Sequence, residues 1–201
     1  LICYDGRRYA LPALLEWRLE YTSGVPCDSF WVKCLWTAGQ EDVLAAATRF
    51  LAVWEGQAVF QGVVDECECV WSEAGVTLEV SGRGMAALLL DNEAEAADYA
   101  VATLGDILNN HVTPYGIQVA KQTALPPVTG FSVASGSSQW QVLYDFACYH
   151  GGVAPRFDRE GGLVLAGWDK SREICLDDKV PVVRLCCRER RYGVLSEILV
   201  R

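Results

Sequence analysis

Three neighbouring carboxylates, Asp65, Glu66 and Glu68, are side chains that could perform acid–base chemistry. Paired carboxylates are what glycoside hydrolysis uses, so a cell-wall hydrolase is one hypothesis for this segment. On a β-strand, however, Glu66 and Glu68 face one side and Asp65 faces the other. Cys67 and Cys69 alternate with the glutamates. The spacing therefore favours the solvated outer face of a strand over a catalytic pair.

The two histidines, His111 and His150, are the next candidates, because imidazole is a common general acid and base. Both are predicted at helix C-termini, where an imidazolium can cap free carbonyl groups. A Ser-His-Asp set could be composed from His150, Asp145 and a serine between 135 and 138. The G-x-S-x-G motif of a nucleophile elbow is absent from the sequence. We therefore expect capping roles for the histidines and a helix N-cap for Ser138.

The spacing of the remaining residues does not indicate a metal, redox or phosphate site. Nine cysteines are present, but none forms the C-x-x-C spacing of zinc sites or redox motifs, and we expect buried thiols at Cys67 and Cys69. Gly82-Arg83-Gly84 lacks both the third glycine of a dinucleotide loop and the Lys-Ser/Thr of a P-loop. We expect no cofactor, no metal ion and no enzymatic activity, and a function carried by the surface of the protein.

The composition narrows the choice of partners. The chain has 201 residues, of which 51% are hydrophobic and seven are tryptophans, so part of its apolar surface is expected to meet another protein. A net charge of −9 argues against a specific nucleic-acid partner, because phosphate contacts need clustered Lys and Arg. No apolar run reaches the length of a membrane helix, so we expect no membrane insertion. The first residues lack the order of a secretory signal, which predicts synthesis in the cytoplasm.

Residues 1–92 are predicted to form an antiparallel β-barrel-like domain. From Phe30 to Trp36, apolar residues alternate with a more polar face at the period of two that marks a strand. Further strands are predicted at 48–54, 58–71 and 76–81. Gly62 is expected to supply a bulge or bend in the longest of them. Short sequential strands favour a small barrel or sandwich, which the β-like residues 180–201 are expected to complete.

Residues 93–179 are predicted to form a small α+β insertion of two helix–strand units. A short helical turn at 85–90 precedes it. The acidic, alanine-rich stretch 91–100 is expected to be a linker or an exposed helix. Thr103 is a candidate N-cap for an amphipathic helix, which should lead into a short strand at 117–120. These elements form the first unit.

The second unit begins at Ser138 and Gln141, which have the S-x-x-Q spacing of a capping box. The helix that they start should end at Gly151-Gly152. A hairpin is predicted over 153–166, with a turn rich in Asp and Gly. The predicted fold class of the whole chain is therefore α+β, a barrel-like domain interrupted by this insertion.

Three segments in this order resemble the hub proteins of phage baseplates and contractile injection systems. The first segment, Val59–Asp65 with Val76–Arg83, is similar to that family's F-x-G-x-(V/I)-D and L-x-V-x-G-R patterns. The second, Thr103–Leu108 with Pro114–Ile117, is similar to the helix-and-strand unit that follows those patterns. The third, Gln139–Ala147 with the hairpin to Leu165, is similar to the family's helix and short hairpin. Each segment is short. Their order and spacing make chance agreement improbable.

The resemblance implies a structural, non-enzymatic subunit of a phage or prophage tail. In that family the hub is a homotrimeric ring between the tail tube and the spike or tail tip. Two barrel-like domains in each subunit match a sixfold tube to a threefold spike. The implied location is the virion tail or an injection-system baseplate. Since only the opening strands of a second barrel would fit before Arg201, we expect a fragment, a shortened homologue or a split hub.

Tryptophans on the predicted strands are the interface candidates, each also compatible with a place in the core. They are Trp31, Trp36, Trp54 and Trp71. The main alternative function is a glycan- or peptidoglycan-binding module, in which exposed tryptophans and tyrosines would stack on sugars. The cell-wall hydrolase based on Glu66 or Glu68 is a further alternative.

Overall fold

The computed structural model describes residues 1–22, 26–73 and 75–168. Leu1–Gly167 forms one compact unit. The described residues combine helices with mostly antiparallel sheet, as the predicted α+β class requires. Two hydrophobic cores are present within the first unit, one built from residues before Gly84 and one from residues after it.

The first core lies on one face of a six-stranded antiparallel sheet in the order β1-β4-β5-β6-β3-β2. Its strands are β1 (Ile2–Cys3), β2 (Leu14–Glu20), β3 (Ser29–Leu35), β4 (Ala47–Trp54), β5 (Gln57–Ser72) and β6 (Gly75–Gly84), and helix α1 (Glu41–Ala46) lies between β3 and β4. The predicted strands are confirmed, and β1 and β2 are additional. The described strands form an open sheet with edges β1 and β2, so the barrel-like form stays a prediction. The strand predicted within 180–201 lies outside the described residues.

The alternation in β3 places Phe30, Val32 and Cys34 on the core face, where all three are buried. Phe50 from β4 stacks on Phe30 with 4.0 Å between ring centroids, and Phe60 from β5 meets Phe30 edge-on at 5.6 Å. Aromatic pairs in these geometries contribute about 0.5–1.5 kcal/mol each beyond their buried area. The core face of the sheet is therefore centred on three phenylalanines.

The bulge predicted at Gly62 is wrong, because the register with β6 shifts at Asp65 and the register with β4 shifts at Val59. Gly62 and Gly82 are instead places where β5 and β6 approach closely. A Cβ atom on Gly82 would lie 2.0 Å from the Val63 carbonyl oxygen, and one on Gly62 would lie 2.2 Å from that of Arg83. Only glycine permits this backbone spacing.

The second core is built from short helices and two small sheets. Its elements are α2 (Ala87–Leu90), β7 (Ala97–Ala102), α3 (Leu104–His111), a 3₁₀ turn (Thr113–Tyr115), β8 (Val119–Gln122), β9 (Val128–Val133), α4 (Gln139–Tyr144), a π-helical turn (Asp145–His150), β10 (Arg156–Phe157) and β11 (Leu163–Leu165). β7 pairs with β9, and the other sheet has the order β10-β11-β8 with β11 and β8 parallel. The predicted division into 1–92 and 93–179 stays a prediction.

The predicted helix starts are confirmed, although one capping box is incomplete. Thr103 and Asp106 form a full capping box, in which the side chain of each residue accepts a hydrogen bond from the backbone N–H of the other. Ser138 caps α4 by accepting a hydrogen bond from the Gln141 backbone N–H at 3.1 Å. The Gln141 side chain instead donates to Asp145 at 2.6 Å. The second helix ends as predicted at Gly151, although its last part is a π-helical turn.

The linker or exposed helix expected at 91–100 is wrong for its last four residues, 97–100, which belong to strand β7. β7 pairs in antiparallel register with β9, where Tyr99 lies opposite Phe131. Tyr99 packs against the second core and Ala102 is fully buried in it. Packing against a non-local strand outweighs the weak strand propensity of alanine and aspartate.

The capping role predicted for His111 is also wrong. The His111 side chain is buried, and its two ring nitrogens bond to the Tyr99 hydroxyl and the Gln139 side chain. His150 does lie at the end of the π-helical turn, and its ring contacts Phe131 edge-on with centroids 5.8 Å apart. His111 is therefore a core residue.

Replacing Gly82 with alanine is expected to destabilise the protein by about 3 kcal/mol or more, because the added methyl group must push apart two strands and the Phe30 ring. The free energy of unfolding from urea titration measures the effect. Gly105→Ala is the matched control, since its nearest neighbour would be the Thr103 hydroxyl at 3.6 Å and alanine favours the helix by up to about 1 kcal/mol. Equal stability of the two variants would contradict the close approach.

Candidate assembly interface

One end of the core face of the large sheet is apolar and exposed. Residues opposite each other in register share a face of the sheet. On β2, Leu14 lies opposite Cys34 and Trp17 lies opposite Val32. On β5, Cys69 lies opposite Leu78 and Trp71 lies opposite Val76. The Val76 carbonyl also accepts a hydrogen bond from the backbone N–H of Trp36, which places Trp36 next to this row of the sheet. We call Leu14, Trp17, Trp36, Cys69 and Trp71 the apolar end patch; Trp36 is half-buried, and the other four residues are exposed.

The exposure of this patch contrasts with its surroundings. Val32, Cys34 and Leu78 in the same rows of the sheet are buried, whereas Trp17 is 59% exposed and Trp71 is 78% exposed. Burying apolar side chain area stabilises a protein by roughly 25 cal/mol per Å², so leaving two indole rings in water forgoes several kcal/mol. Exposed aromatic and aliphatic side chains on one face of a sheet are typical of a surface that meets another protein.

Strand β2 adds an open edge to the patch. β2 pairs with β3 on one side only, so its other backbone edge is unpaired in the described sheet. The register shifts at Leu15, and this bulged residue is 53% exposed. An edge strand with exposed leucine and tryptophan is a template for pairing with another chain.

The four predicted interface tryptophans do not lie together. Trp36 and Trp71 belong to the apolar end patch. Trp54, the last residue of β4, is 67% exposed and lies opposite Gln57. Gln57 begins β5, whose 16 residues span roughly 50 Å and end beyond Trp71. Trp31 lies on the outer face, where its indole donates to Glu79 at 3.1 Å. Their interface role stays a prediction.

Trp17 was not among the sequence candidates, although the segment Leu14–Glu20 alternates apolar and charged residues. That alternation predicts a strand, but it does not reveal that the strand is at an edge. Trp17 is exposed because β2 is the last strand of the sheet, and that position is set by the order in which distant strands pair. The local sequence therefore predicts the strand but not the exposure of its side chains.

The carboxylates at 65–68 all lie on one face of the large sheet. The bulge at Asp65 turns this side chain to the outer face, together with Glu66 and Glu68, contrary to the predicted alternation. Asp65 accepts two hydrogen bonds from the Arg83 guanidinium, at 2.7 and 3.0 Å. Glu66 and Glu68 are exposed, as expected of a solvated outer face.

Arg83 also binds Asp91, with hydrogen bonds of 3.0 and 2.6 Å. The hydrogen bonds that Arg83 donates to both carboxylates raise the pKa of Arg83, and its hydrogen bonds to Asp91 lower the pKa of Asp91 below its usual range. Asp91 follows helix α2, which belongs to the second core, whereas Asp65 lies in the large sheet. Arg83 therefore connects the two cores through its ion pairs with Asp65 and Asp91.

A loop of the second core also contacts the sheet. In the turn after β10, Asp158 accepts hydrogen bonds from the backbone of Glu160 and Gly162, which fixes the loop shape. A Cβ atom on Gly161 would lie 2.9 Å from Met85 and 3.2 Å from Gln61 of β5. The Arg159 guanidinium lies 6.0 Å from the centre of the Tyr21 ring. This loop is therefore a second contact between the two cores.

The cysteines of β5 share one face, as predicted, but only Cys67 is half-buried and Cys69 is exposed. Loss of hydration raises the pKa of both thiols, so they stay protonated at neutral pH. Among the described residues, no group of His, Cys, Asp and Glu side chains could hold a metal ion. No helix in the described ranges is long and apolar enough to cross a membrane.

Replacing Arg83 with glutamine is expected to lower the free energy of unfolding by about 1 kcal/mol at pH 7, because two partly solvated ion pairs are lost. The pKa of Asp91 is lower in the folded protein than in the unfolded chain, where an aspartate has a pKa of about 3.9. The ion pair therefore stabilises the protein fully above about pH 3.9, and this stabilisation is lost as the pH falls through the lower pKa of folded Asp91. Urea titrations between pH 7 and pH 3 should show the difference from wild type shrinking below about pH 4.

The control for this test is Arg18→Gln, since Arg18 is largely exposed and approaches Glu20 only at 3.9 Å. It should change stability little across the same pH range. A constant difference between wild type and Arg83→Gln down to pH 3 would contradict the role of the ion pairs.

Comparisons with known proteins agree with the resemblance inferred from sequence. The family model described as "Baseplate hub protein gp44-like, second domain" matches residues 86–167, which contain almost all of the second core. No curated protein matches the chain.

Two solved structures share the fold. A tail protein from Neisseria meningitidis MC58 is 22% identical with a TM-score of 0.63 over 78% of this chain and 48% of that protein. The 43 kDa tail protein of prophage MuSo2 from Shewanella oneidensis is 22% identical with a TM-score of 0.59 over 70% of this chain and 46% of that protein. The chain thus spans about half the length of these tail proteins. The match over residues 86–167 shows that this part of the chain is similar to the second domain of gp44-like baseplate hub proteins, in agreement with the resemblance to phage tail hub proteins inferred from the sequence.

Proposed function

We propose that the chain is a non-enzymatic structural subunit of a phage-type baseplate or tail hub, located in the virion tail. The observation that carries the proposal is the hub-family domain at residues 86–167, and the apolar end patch on the adjoining sheet supports it. The subunit would link the tail tube to the spike or tail tip. Whether the parent particle is a phage, a prophage or a contractile injection system does not alter this role.

The apolar end patch supports a permanent contact with another subunit. Permanent interfaces are richer in apolar and aromatic side chains than ordinary protein surface. Trp17 and Trp71 are both more than half exposed and lie on one face of one sheet. Indole rings in such positions are typical of residues that dominate the energy of an interface. We infer that this patch is the self-association surface of a homotrimer.

The geometry of the acidic residues supports a non-enzymatic role. Asp65 is neutralised by Arg83, and Glu66 and Glu68 lie on an exposed outer face beside like charge, with Glu68 opposite Glu79 in the register. Such solvated carboxylates lack the apolar surroundings that adapt a carboxyl group to general acid catalysis. A structural subunit needs no such site.

The charge of the chain suits a place along a DNA channel. The net charge of −9 repels the phosphate backbone, so DNA would pass without being held. A hub with this charge would have other tail proteins as partners and no specific nucleic acid. This property is independent of the oligomeric state.

The double substitution Trp17→Glu, Trp71→Glu is expected to prevent self-association, since it places two charges in an apolar interface. The wild-type chain should approach the mass of a trimer in light scattering across a concentration series, and the variant should remain a monomer. Val101→Glu, at a residue 52% exposed on β7, is the control and should assemble like wild type.

A wild-type chain that stays monomeric at all concentrations would overturn self-association through this patch. Equal loss of assembly in the control would show that the effect is not specific to the apolar end patch. Circular dichroism of each variant verifies that the fold is retained.

A further inference from the structure

A cavity of about 590 Å³ opens on the surface of the second core. It lies beside β7, the C-terminal part of α3 and the 3₁₀ turn that follows, far along the chain from the apolar end patch. Its volume falls within the roughly 300–1,000 Å³ that is usual for small-molecule sites. The proposed structural function does not use this cavity.

The deepest lining residues are two buried polar side chains that are fully paired. The Gln139 amide nitrogen donates to the Glu93 carbonyl at 3.1 Å, which leaves the amide oxygen to accept from His111 Nδ1 at 2.7 Å. His111 Nε2 then accepts from the Tyr99 hydroxyl at 3.0 Å, and that hydroxyl accepts from Asn110 at 3.0 Å. A continuous hydrogen-bond network of this kind restricts the orientation of its side chains. The Tyr99 ring is therefore fixed in place.

Other lining side chains are available to a ligand. None of the hydrogen bonds or ion pairs among the described residues involves the side chains of Glu95, Asn109 and Tyr115, which line the cavity. Glu95 and Asn109 are exposed, and the Tyr115 ring is half-buried. Together with Tyr99, they offer hydrogen-bond acceptors, an amide donor and two planar rings around one cavity.

The charges of the lining exclude anionic ligands. None of the described residues that line the cavity is a lysine or an arginine, and the sequence has neither between Arg83 and Lys121. Glu93 and Glu95 would repel a phosphate or a carboxylate. The Glu93 carboxylate already accepts the Gly136 backbone N–H at 2.9 Å.

We propose that this cavity binds an uncharged saccharide. Sugar hydroxyl groups both donate and accept hydrogen bonds, and the lining offers partners of both kinds in Glu95 and Asn109. The C–H faces of a pyranose ring are apolar and fit the rings of Tyr99 and Tyr115. A basic side chain from a partner protein would use only the acceptors. The mixture of carboxylate, amide and tyrosine therefore favours the sugar.

The test is calorimetric titration of the full chain with glucose, galactose, N-acetylglucosamine, maltose and cellobiose. At least one sugar should bind saturably at millimolar concentration. Asn109→Ala and Glu95→Gln should each weaken its binding about 3- to 10-fold, which corresponds to the loss of one or two hydrogen bonds. Glu68→Gln is the matched control, because Glu68 is an exposed carboxylate on β5, and it should leave binding unchanged.

Three results would overturn the proposal. One is the absence of saturable binding by all five sugars while circular dichroism shows an intact fold. Another is equal weakening by the control and the cavity variants. The last is saturable binding of N-acetyl-argininamide in the cavity, abolished by Glu95→Gln, with none of the sugars, since this would identify a site for a basic protein side chain. None of these results bears on self-association through the apolar end patch.

Discussion

The close approach of β5 and β6 is the constraint on which the rest of the structure depends. Gly62 and Gly82 let the two backbones come within a distance at which any side chain would strike a carbonyl oxygen. The rings of Phe60 and Phe30 lie over these glycines, and Phe50 stacks on Phe30. The central aromatic cluster of the sheet therefore depends on two positions without side chains. The glycines of the two sequence patterns typical of hub proteins are explained by packing, with no need for a ligand.

The same pair of strands also connects the sheet to the second core. Arg83 follows Gly82 and reaches Asp65, at the bulge of β5, and Asp91, beyond α2. Met85 begins the second core directly after β6, and the loop at Gly161 packs against it. The family domain at 86–167 therefore starts where the sheet ends. Arg83 and the loop at Gly161 both contribute to its attachment to the sheet.

Features governed by neighbouring residues could be predicted from the sequence, and those governed by distant pairing could not. The caps at Thr103 and Ser138 and the alternation in β3 depend on a few adjacent residues, and all were predicted correctly. Strand β7 forms because β9 pairs with it. Likewise, His111 is buried because Tyr99 and Gln139 come from distant segments. The apolar end patch could be predicted only in part: Trp36 and Trp71 were among the predicted tryptophans and Trp17 was not, because the position of β2 at the sheet edge follows from the order of the strands.

The parallel pairing of β8 with β11 has a consequence for the order of folding. β8 ends at Gln122, and its partner begins at Leu163, after β9, α4 and the β10 strand have been made. By contrast, β5 and β6 are joined by a tight hairpin and can pair as soon as both leave the ribosome. The six strands of the large sheet are all complete by Gly84. During synthesis the sheet can therefore form first and present Arg83 and Met85 as a template on which the later residues assemble.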